Sequence, residues 1–77
     1  MAKLNQREMI IRHLEAFGTI DPMEAIRDYG IMRLASRISE LRKEGYIIIT
    51  NMVHGLNRFQ EKTRYAEYSL GGWEKNG

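Results

Sequence analysis

The chain has 77 residues, the size of one small domain, and 43% of them are hydrophobic and 29% charged, as in an ordinary globular protein. It contains no cysteine, and this excludes disulfide bonds and thiolate metal sites. The net charge is only +2, so total charge alone identifies no partner. The amino-terminal stretch lacks the apolar core of a signal peptide, and the longest apolar run is far too short to span a bilayer. We therefore expect a cytoplasmic protein with no membrane partner.

A first helix is predicted over residues 6–17. Its apolar side chains recur at the spacing i, i+4, i+7, which places them on one helix face: Ile10, Leu14 and Phe17. Asn5 followed three residues later by Glu8 has the pattern of an amino-terminal capping box, and Gly18 predicts the helix end. The two β-branched residues at 19–20 suit a very short strand.

The middle of the chain predicts a short helix, a glycine turn and a longer helix. Asp21 can cap the second helix, over residues 22–29, in which Ile26 is the expected core residue. Gly30 provides the turn, and a third helix is predicted over residues 32–44.

The third helix has two different faces. Its apolar face consists of Leu34, Ile38 and Leu41. Its polar face consists of Arg33, Ser36, Arg37 and Glu40. An arginine-bearing helix set behind a short helix and a tight turn is the layout of a helix-turn-helix.

A β-hairpin is predicted after the helices, with strands over residues 46–53 and 65–70. The polar, basic connection between them is long for a hairpin loop, so either the strands extend further inward or the tip is mobile. Because an isolated hairpin is marginally stable, we expect it to pack against the three helices. The expected fold is mainly α with a small antiparallel β-hairpin, a winged helix of three helices plus a wing. It occupies residues 1–70, and residues 71–77 form a flexible tail.

The charges are distributed unevenly along the chain. Residues 18–30 hold three acidic side chains against one basic one. Residues 31–45 hold four basic against two acidic, and residues 46–64 hold three basic against one acidic. The positive excess thus lies on the third helix and the hairpin, as expected of a protein that meets a phosphate backbone.

Three segments resemble a known family. They are IDPMEAI at 20–26, RLASRISELR at 33–42 and the Gly45-Tyr46 pair. Together they are similar to the small winged helix-turn-helix DNA-binding proteins carried by phages and prophages, over about residues 5–70. The resemblance implies sequence-specific binding of double-stranded DNA by the third helix in the major groove, in phage or mobile-element gene control. A repressor, an activator and a recombination directionality factor fit equally.

Nine residues are candidates for DNA contact: Arg33, Ser36, Arg37, Glu40, Lys43, Asn57, Arg58, Lys62 and Arg64. Arginine can bond both major-groove acceptors of guanine, and serine can reach a base or a phosphate. Glu40 can accept from cytosine, although pairing with Arg37 or Lys43 is favoured. Arg42 and Lys43, near the end of the third helix, can contact phosphates or equally serve the helix dipole. The hairpin residues either touch phosphates and the minor groove or keep an exposed loop charged. We also expect phosphate contacts at the start of the first helix.

Catalytic and metal chemistry are not expected. Asp21 and Glu24 are explained by helix capping, and no nucleophile or base accompanies them. His13 and His54 are far apart in the chain and lack metal-ligand spacing. We therefore predict no enzyme activity, no cofactor, no metal and no small-molecule substrate.

Protein partners remain an alternative. One DNA-binding module has a modest footprint, so useful affinity calls for a homodimer or cooperative binding. Trp73 can fold back on the core or lie in such a dimer contact.

The rival function is a winged-helix interaction module that binds and modulates a host protein complex. It is motivated by the three isoleucines at 47–49, which strand alternation cannot place on one face.

Overall fold

Three α-helices and a three-stranded antiparallel sheet make up the protein in a computed structural model that describes residues 4–73, with side chains as far as residue 71. In chain order the elements are α1 (Gln6–Phe17), β1 (Thr19–Ile20), α2 (Pro22–Tyr29), α3 (Leu34–Lys43), β2 (Tyr46–Leu56) and β3 (Lys62–Trp73). The sheet order is β1-β3-β2, so β3 is central. The sequence therefore predicted the element order, including the very short strand.

The helix ends follow from local side-chain chemistry. Asn5 accepts a hydrogen bond from the backbone N–H of Glu8, whose carboxylate accepts one from the Asn5 N–H. Asp21 and Glu24 form the same reciprocal pair at the start of α2. Both predicted capping boxes are confirmed, and each satisfies N–H groups that a helix start leaves unpaired. Gly30 ends α2 in the left-handed conformation, with φ at 69°, where a side chain would be strained.

The core is formed by one face of each helix and by the near end of the sheet. Its buried hydrophobic residues are Ile10, Leu14, Ile20, Ala25, Ile31, Leu34, Ile38, Leu41, Ile48 and Tyr68. Two predicted core residues are wrong. Ile26 is 41% exposed, because α2 turns the small Ala25 toward the core and the next position therefore faces outward. Phe17 is 72% exposed at the last position of α1, where its ring lies against His13.

The hairpin is longer than predicted, because its strands do extend inward. β2 and β3 pair without interruption from Ile48 opposite Leu70 to Leu56 opposite Lys62, and only residues 57–61 remain as a loop. The predicted tail is also shortened, since β3 continues to residue 73. Residues 74–77 and the side chain of Trp73 lie outside the described part of the chain, so both proposals for that tryptophan stay predictions.

The three isoleucines divide between the two faces of the sheet. Ile48 is buried beneath the helices, whereas Ile47 and Ile49 are about half exposed on the outer face. A bulge lies between Ile47 and Ile48, and both outer isoleucines pack closely over Gly71. The prediction that the three isoleucines cannot share one face is confirmed, with two of them on the outer face.

Candidate nucleic-acid interface

The exposed face of α3 is the first part of the candidate interface. Ile31, in the turn before the helix, is fully buried and fixes the turn to the core, which orients the helix that follows. The exposed positions recur at the spacing i, i+4, i+7, i+11: Met32, Ser36, Ser39 and Lys43. Within the helix itself, which begins after Arg33, this face has only short side chains before Lys43, so another surface can approach the helix closely.

Arg33 and Ser36 lie together at the start of this face. Both are exposed, and they line one shallow depression with Met32, Ala35 and Tyr68. Arg33 occupies the position before the first helical residue and makes no side-chain capping bond. A guanidinium group has only donors and cannot cap the N–H groups of a helix start, and no ion pair or hydrogen bond to the Arg33 side chain is present within residues 4–73. Met32 and Ala35, together with Ser39, were missed as candidates, although the helical spacing on the exposed face would have identified them.

Arg37 does not join Arg33 and Ser36. It lies on the side of α3 that faces the start of α1, with its side chain one-third exposed. Its Nε atom is 3.3 Å from Oε1 of Glu40, an ion pair in which that N–H makes no hydrogen bond to any described residue. The predicted polar face of the third helix is therefore divided, because Arg37 lies at the edge of the buried stripe, away from Arg33 and Ser36.

The acidic residues of α3 are paired with cations. Arg7 of α1 forms an ion pair and hydrogen bond with Glu44 and lies 4.0 Å from Glu40. The predicted pairing of Glu40 with Arg37 is thus present, and Arg7 adds a second cation. These contacts join α1 to the last two turns of α3 and neutralise the two carboxylates there.

Arg42 joins α3 to the hairpin. Its Nε and Nη2 atoms donate to the backbone carbonyl of Ile48, at 3.1 and 2.6 Å, and Nη2 also donates to the Thr50 hydroxyl at 2.8 Å. Sequence reasoning gave this arginine only a helix-dipole or phosphate role. Its structural role depends on a chain segment six to eight residues away, and no local pattern indicates it.

The hairpin carries the second group of cations. Arg58, Lys62 and Arg64 are exposed near its tip, where Lys62 lies opposite Leu56. Within residues 4–73, none of these three side chains forms an ion pair or hydrogen bond with another side chain. The same holds for Arg33 and Lys43 in that range, so five cations of the two elements are free to meet an anionic partner.

A family model described as a winged helix-turn-helix domain matches residues 5–72, nearly the whole chain. The protein belongs to the winged helix-turn-helix domain family. Searches of curated proteins and of solved structures found no match. The predicted winged-helix fold is confirmed, and the hairpin of β2 and β3 is the wing. Such a domain suggests DNA binding.

Asn57 has an internal role at the tip of the wing. Its side-chain oxygen accepts from the backbone N–H groups of Phe59, at 2.8 Å, and of Glu61, at 3.0 Å. Its amide nitrogen donates to the Glu61 carboxylate at 2.9 Å. The amide is thus engaged within the loop, so the predicted DNA contact at this position would require those bonds to be replaced.

His13 lies in the core of the winged helix, away from the exposed face of α3. A 2.6 Å hydrogen bond joins its Nδ1 atom to the Tyr29 hydroxyl, and its Nε2 atom is 4.0 Å from the Glu24 carboxylate. Burial raises the pKa of Tyr29 above its ordinary value, and the charges of Asp28 and Glu24 raise it further. The hydrogen bond between His13 and Tyr29 connects α1 to α2 and therefore stabilises the packing of these helices.

Two other kinds of site were searched for. Among the described residues, no three histidine, aspartate or glutamate side chains are grouped in a way that could hold a metal ion. None of the helices in residues 4–73 combines the length and the apolar character needed to cross a bilayer.

Proposed function

We propose that this winged helix-turn-helix protein binds double-stranded DNA sequence-specifically, with α3 in the major groove and the wing on the flanking backbone and minor groove. In biological terms it regulates transcription for a phage or mobile element, or directs its recombination, in the cytoplasm of a bacterium or a phage-infected cell. The function is binding rather than catalysis, and it uses no cofactor.

The observation that carries this proposal is the separation of paired and unpaired charges. Arg7 and Arg37 neutralise the two acids of α3, and the helix caps engage Asp21 and Glu24. In the wing, α3 and the residue before it, the cations that form no ion pair or side-chain hydrogen bond within residues 4–73 are Arg33, Lys43, Arg58, Lys62 and Arg64. Arg37 is not among them because it is paired with Glu40, and Arg42 is not because it donates to the wing. A surface whose acids are paired and whose cations are free attracts phosphates, because their negative charge replaces the missing partners.

The shape of α3 supports entry into a groove. Ala35, Ser36 and Ser39 are short side chains on its exposed side, so its backbone can come near the base edges. Arg33 at the helix start can bond guanine, and Ser36 can reach a base or a phosphate. Lys43, one helix length away, would contact the backbone on the other side of the groove. Arg37 and Glu40 remain secondary candidates, since binding a base requires breaking their ion pair.

The start of α1 is not included in the proposed interface. A phosphate contact was expected there, but Asn5 and Glu8 already occupy the relevant N–H groups and place a carboxylate beside them. A carboxylate at that position repels a phosphate.

We further propose that two copies act on one site. A single winged helix has a small footprint on DNA, so a homodimer or adjacent monomers supply the remaining affinity. A two-fold dimer predicts an inverted repeat in the bound sequence, whereas adjacent monomers predict a direct repeat.

The test is selection of bound sequences from a random duplex pool, followed by a salt titration on the enriched duplex. If all five free cations contact phosphates, the slope of log K against log salt is about −4 to −5, because each contact contributes about −0.9. Lys43→Ala reduces the steepness by about 0.9. The matched variant Arg12→Ala, which removes an exposed cation of α1, leaves the slope of log K against log salt unchanged. Absence of an enriched motif together with a flat salt dependence would overturn the proposal.

The rival function is a protein-interaction module, and the outer sheet face favours it. Ile47 and Ile49 expose a pair of large apolar side chains there, which is costly unless a partner covers them. In that case DNA binding is absent, and Ile49→Ser abolishes a stable complex with a protein of the host cell. Under the DNA-binding proposal, the same substitution leaves the affinity for the selected duplex unchanged.

A further inference from the structure

The tip of the wing presents one aromatic side chain to solvent. Phe59 is 80% exposed and lies at the middle of the five-residue loop 57–61. It contributes almost nothing to the core, and no ring contact with it is present among the described residues. An aromatic ring held in water lowers solubility without stabilising the fold, so its position calls for a partner.

The loop is built to hold that ring outward. Its backbone closes with hydrogen bonds from Asn57 N–H to the Glu61 carbonyl and from Gln60 N–H to the Asn57 carbonyl, both 3.0 Å long. The Asn57 side chain adds a bond to the Phe59 N–H. Gln60 adopts φ of 66°, a left-handed conformation that a non-glycine residue adopts only where its surroundings impose it. The loop is thus ordered before any partner binds, which lowers the entropic cost of binding.

The charges around Phe59 indicate which partner fits. Arg58 precedes it, and Lys62 and Arg64 lie on the strand that follows. The one acid of the loop, Glu61, accepts a hydrogen bond from Asn57. An apolar tip surrounded by free cations matches the minor groove, where phosphates line both edges and the base stack lies between them.

The length of the wing matches the distance between grooves. Arg42 fixes the wing to α3 at Ile48 and Thr50, and residues 51–56 continue beyond that point. Six strand residues extend about 20 Å. One turn of the duplex is about 34 Å, so neighbouring major and minor grooves are about 17 Å apart on one side of the helix. A wing anchored beside α3 can therefore reach the adjacent minor groove with its tip.

We propose that Phe59 is a wedge that inserts at a base step of the minor groove next to the major groove occupied by α3, unstacking that step and bending the duplex. This inference rests on the proposed DNA binding and adds a second mode of sequence selection. Arg58 and Lys62 hold the flanking phosphates. Pyrimidine–purine steps are the easiest to unstack, so a TA or CA step is selected at the insertion position.

The experiment uses the duplex obtained by random-pool selection, with 2-aminopurine placed in turn at each flanking position and dyes at the two ends. Wild-type protein is expected to brighten 2-aminopurine at one step only and to bring the ends closer. Phe59→Ala loses both signals and binds about tenfold more weakly, as expected for loss of one stacking contact. Phe59→Leu, which can still act as a wedge, retains most of the bend. Phe17→Ala, which removes a similarly exposed phenylalanine on α1 (72% against 80% for Phe59), is the control and retains both signals.

The outcomes separate this inference from the proposed function. If the wild type binds the duplex with a steep salt dependence but neither brightens any step nor bends it, the wedge is wrong and DNA binding stands. If Phe59→Ala bends the duplex as the wild type does, the wedge is likewise wrong. If the wild type binds no duplex at all and Phe59→Ala instead disrupts a protein complex, both proposals fail. Melting temperatures of the variants, expected to equal the wild type's because Phe59 is exposed, show that loss of signal is not loss of fold.

Discussion

Replacing Arg42 by alanine tests whether α3 positions the wing. The side chain donates two hydrogen bonds to the Ile48 carbonyl and one to the Thr50 hydroxyl. Bonds from a charged donor contribute about 1.5–3 kcal/mol, and because this guanidinium is partly exposed we expect a loss of about 2 kcal/mol for the group. A domain of this size loses about 4–8 °C in melting temperature per kcal/mol, so Arg42→Ala should melt about 8–16 °C lower.

The matched control is Lys43→Ala, at the next position of the same helix. It also removes one cation from the last turn of α3, so the helix-dipole contribution is similar in the two variants and cancels in the comparison. Within residues 4–73 the Lys43 side chain forms no hydrogen bond or ion pair with the wing, so the melting temperature of Lys43→Ala should differ from the wild type's by only a few degrees. The two variants should also differ in function. Lys43→Ala weakens DNA binding with little loss of stability, whereas Arg42→Ala weakens DNA binding because the wing is misplaced.

Thermal unfolding followed by circular dichroism measures both variants. A third variant, Thr50→Val, removes one acceptor, and a double-mutant cycle with Arg42→Ala should give a coupling free energy of about 0.5–1 kcal/mol. Equal melting temperatures for Arg42→Ala and Lys43→Ala, with no coupling to Thr50, would show that these hydrogen bonds add no net stability and that the argument for a fixed wing is wrong.

Three further predictions concern separate parts of the molecule. Burial, together with the charge of Asp28, raises the pKa of Tyr29 above 10.0, so the contribution of this residue to stability is fully present below about pH 10 and is lost as the pH rises through the raised pKa. In urea unfolding, the free energy of unfolding should therefore fall less steeply with pH in Tyr29→Phe than in the wild type. Gly71→Ala places a methyl group 3.0 Å from Ile47 Cγ2 and should cost about 1–2 kcal/mol in urea unfolding, a penalty reduced when Ile47→Ala is added. Lys62→Ala should weaken binding to all duplexes alike and flatten the salt slope by about 0.9, and sequence-selective loss in anisotropy titrations would contradict its phosphate role.

The helix ends could be predicted from sequence because their causes are local. A capping box requires two side chains three residues apart, and a left-handed helix stop requires one glycine. Strand alternation showed only that the three isoleucines at 47–49 cannot share one face, and the structure was needed to show that Ile48 is the buried one. The prediction that Ile26 is a core residue was wrong because burial on α2 depends on how the helix lies against the core, and the smaller Ala25 takes that contact. Helical periodicity carries no information about that distance.

The candidate site could be predicted only in part, for a similar reason. Arg33 and Ser36 were assigned to the polar face of α3, and both side chains are exposed in the structure. Arg37 was grouped with them because helical spacing alone does not show that α1 and Glu40 lie beside it. The length of the wing was underestimated because the start of β3 pairs with β2 although its side chains, such as Lys62 and Arg64, are exposed. No alternation of hydrophobic residues therefore marks that part of β3. The internal bonds of Asn57 are local, and an asparagine at a hairpin loop could have suggested them.

The most direct test of the account is a map of the DNA-contacting surface by nuclear magnetic resonance. Backbone amide shifts of the protein are followed as the selected duplex is added. We expect the largest changes at residues 32–39, on the exposed side of α3, and at residues 57–61 of the wing, with little change on the outer sheet face. Changes confined to the outer face around Ile47 and Ile49, or to the surface between α1 and the end of α3, would contradict it.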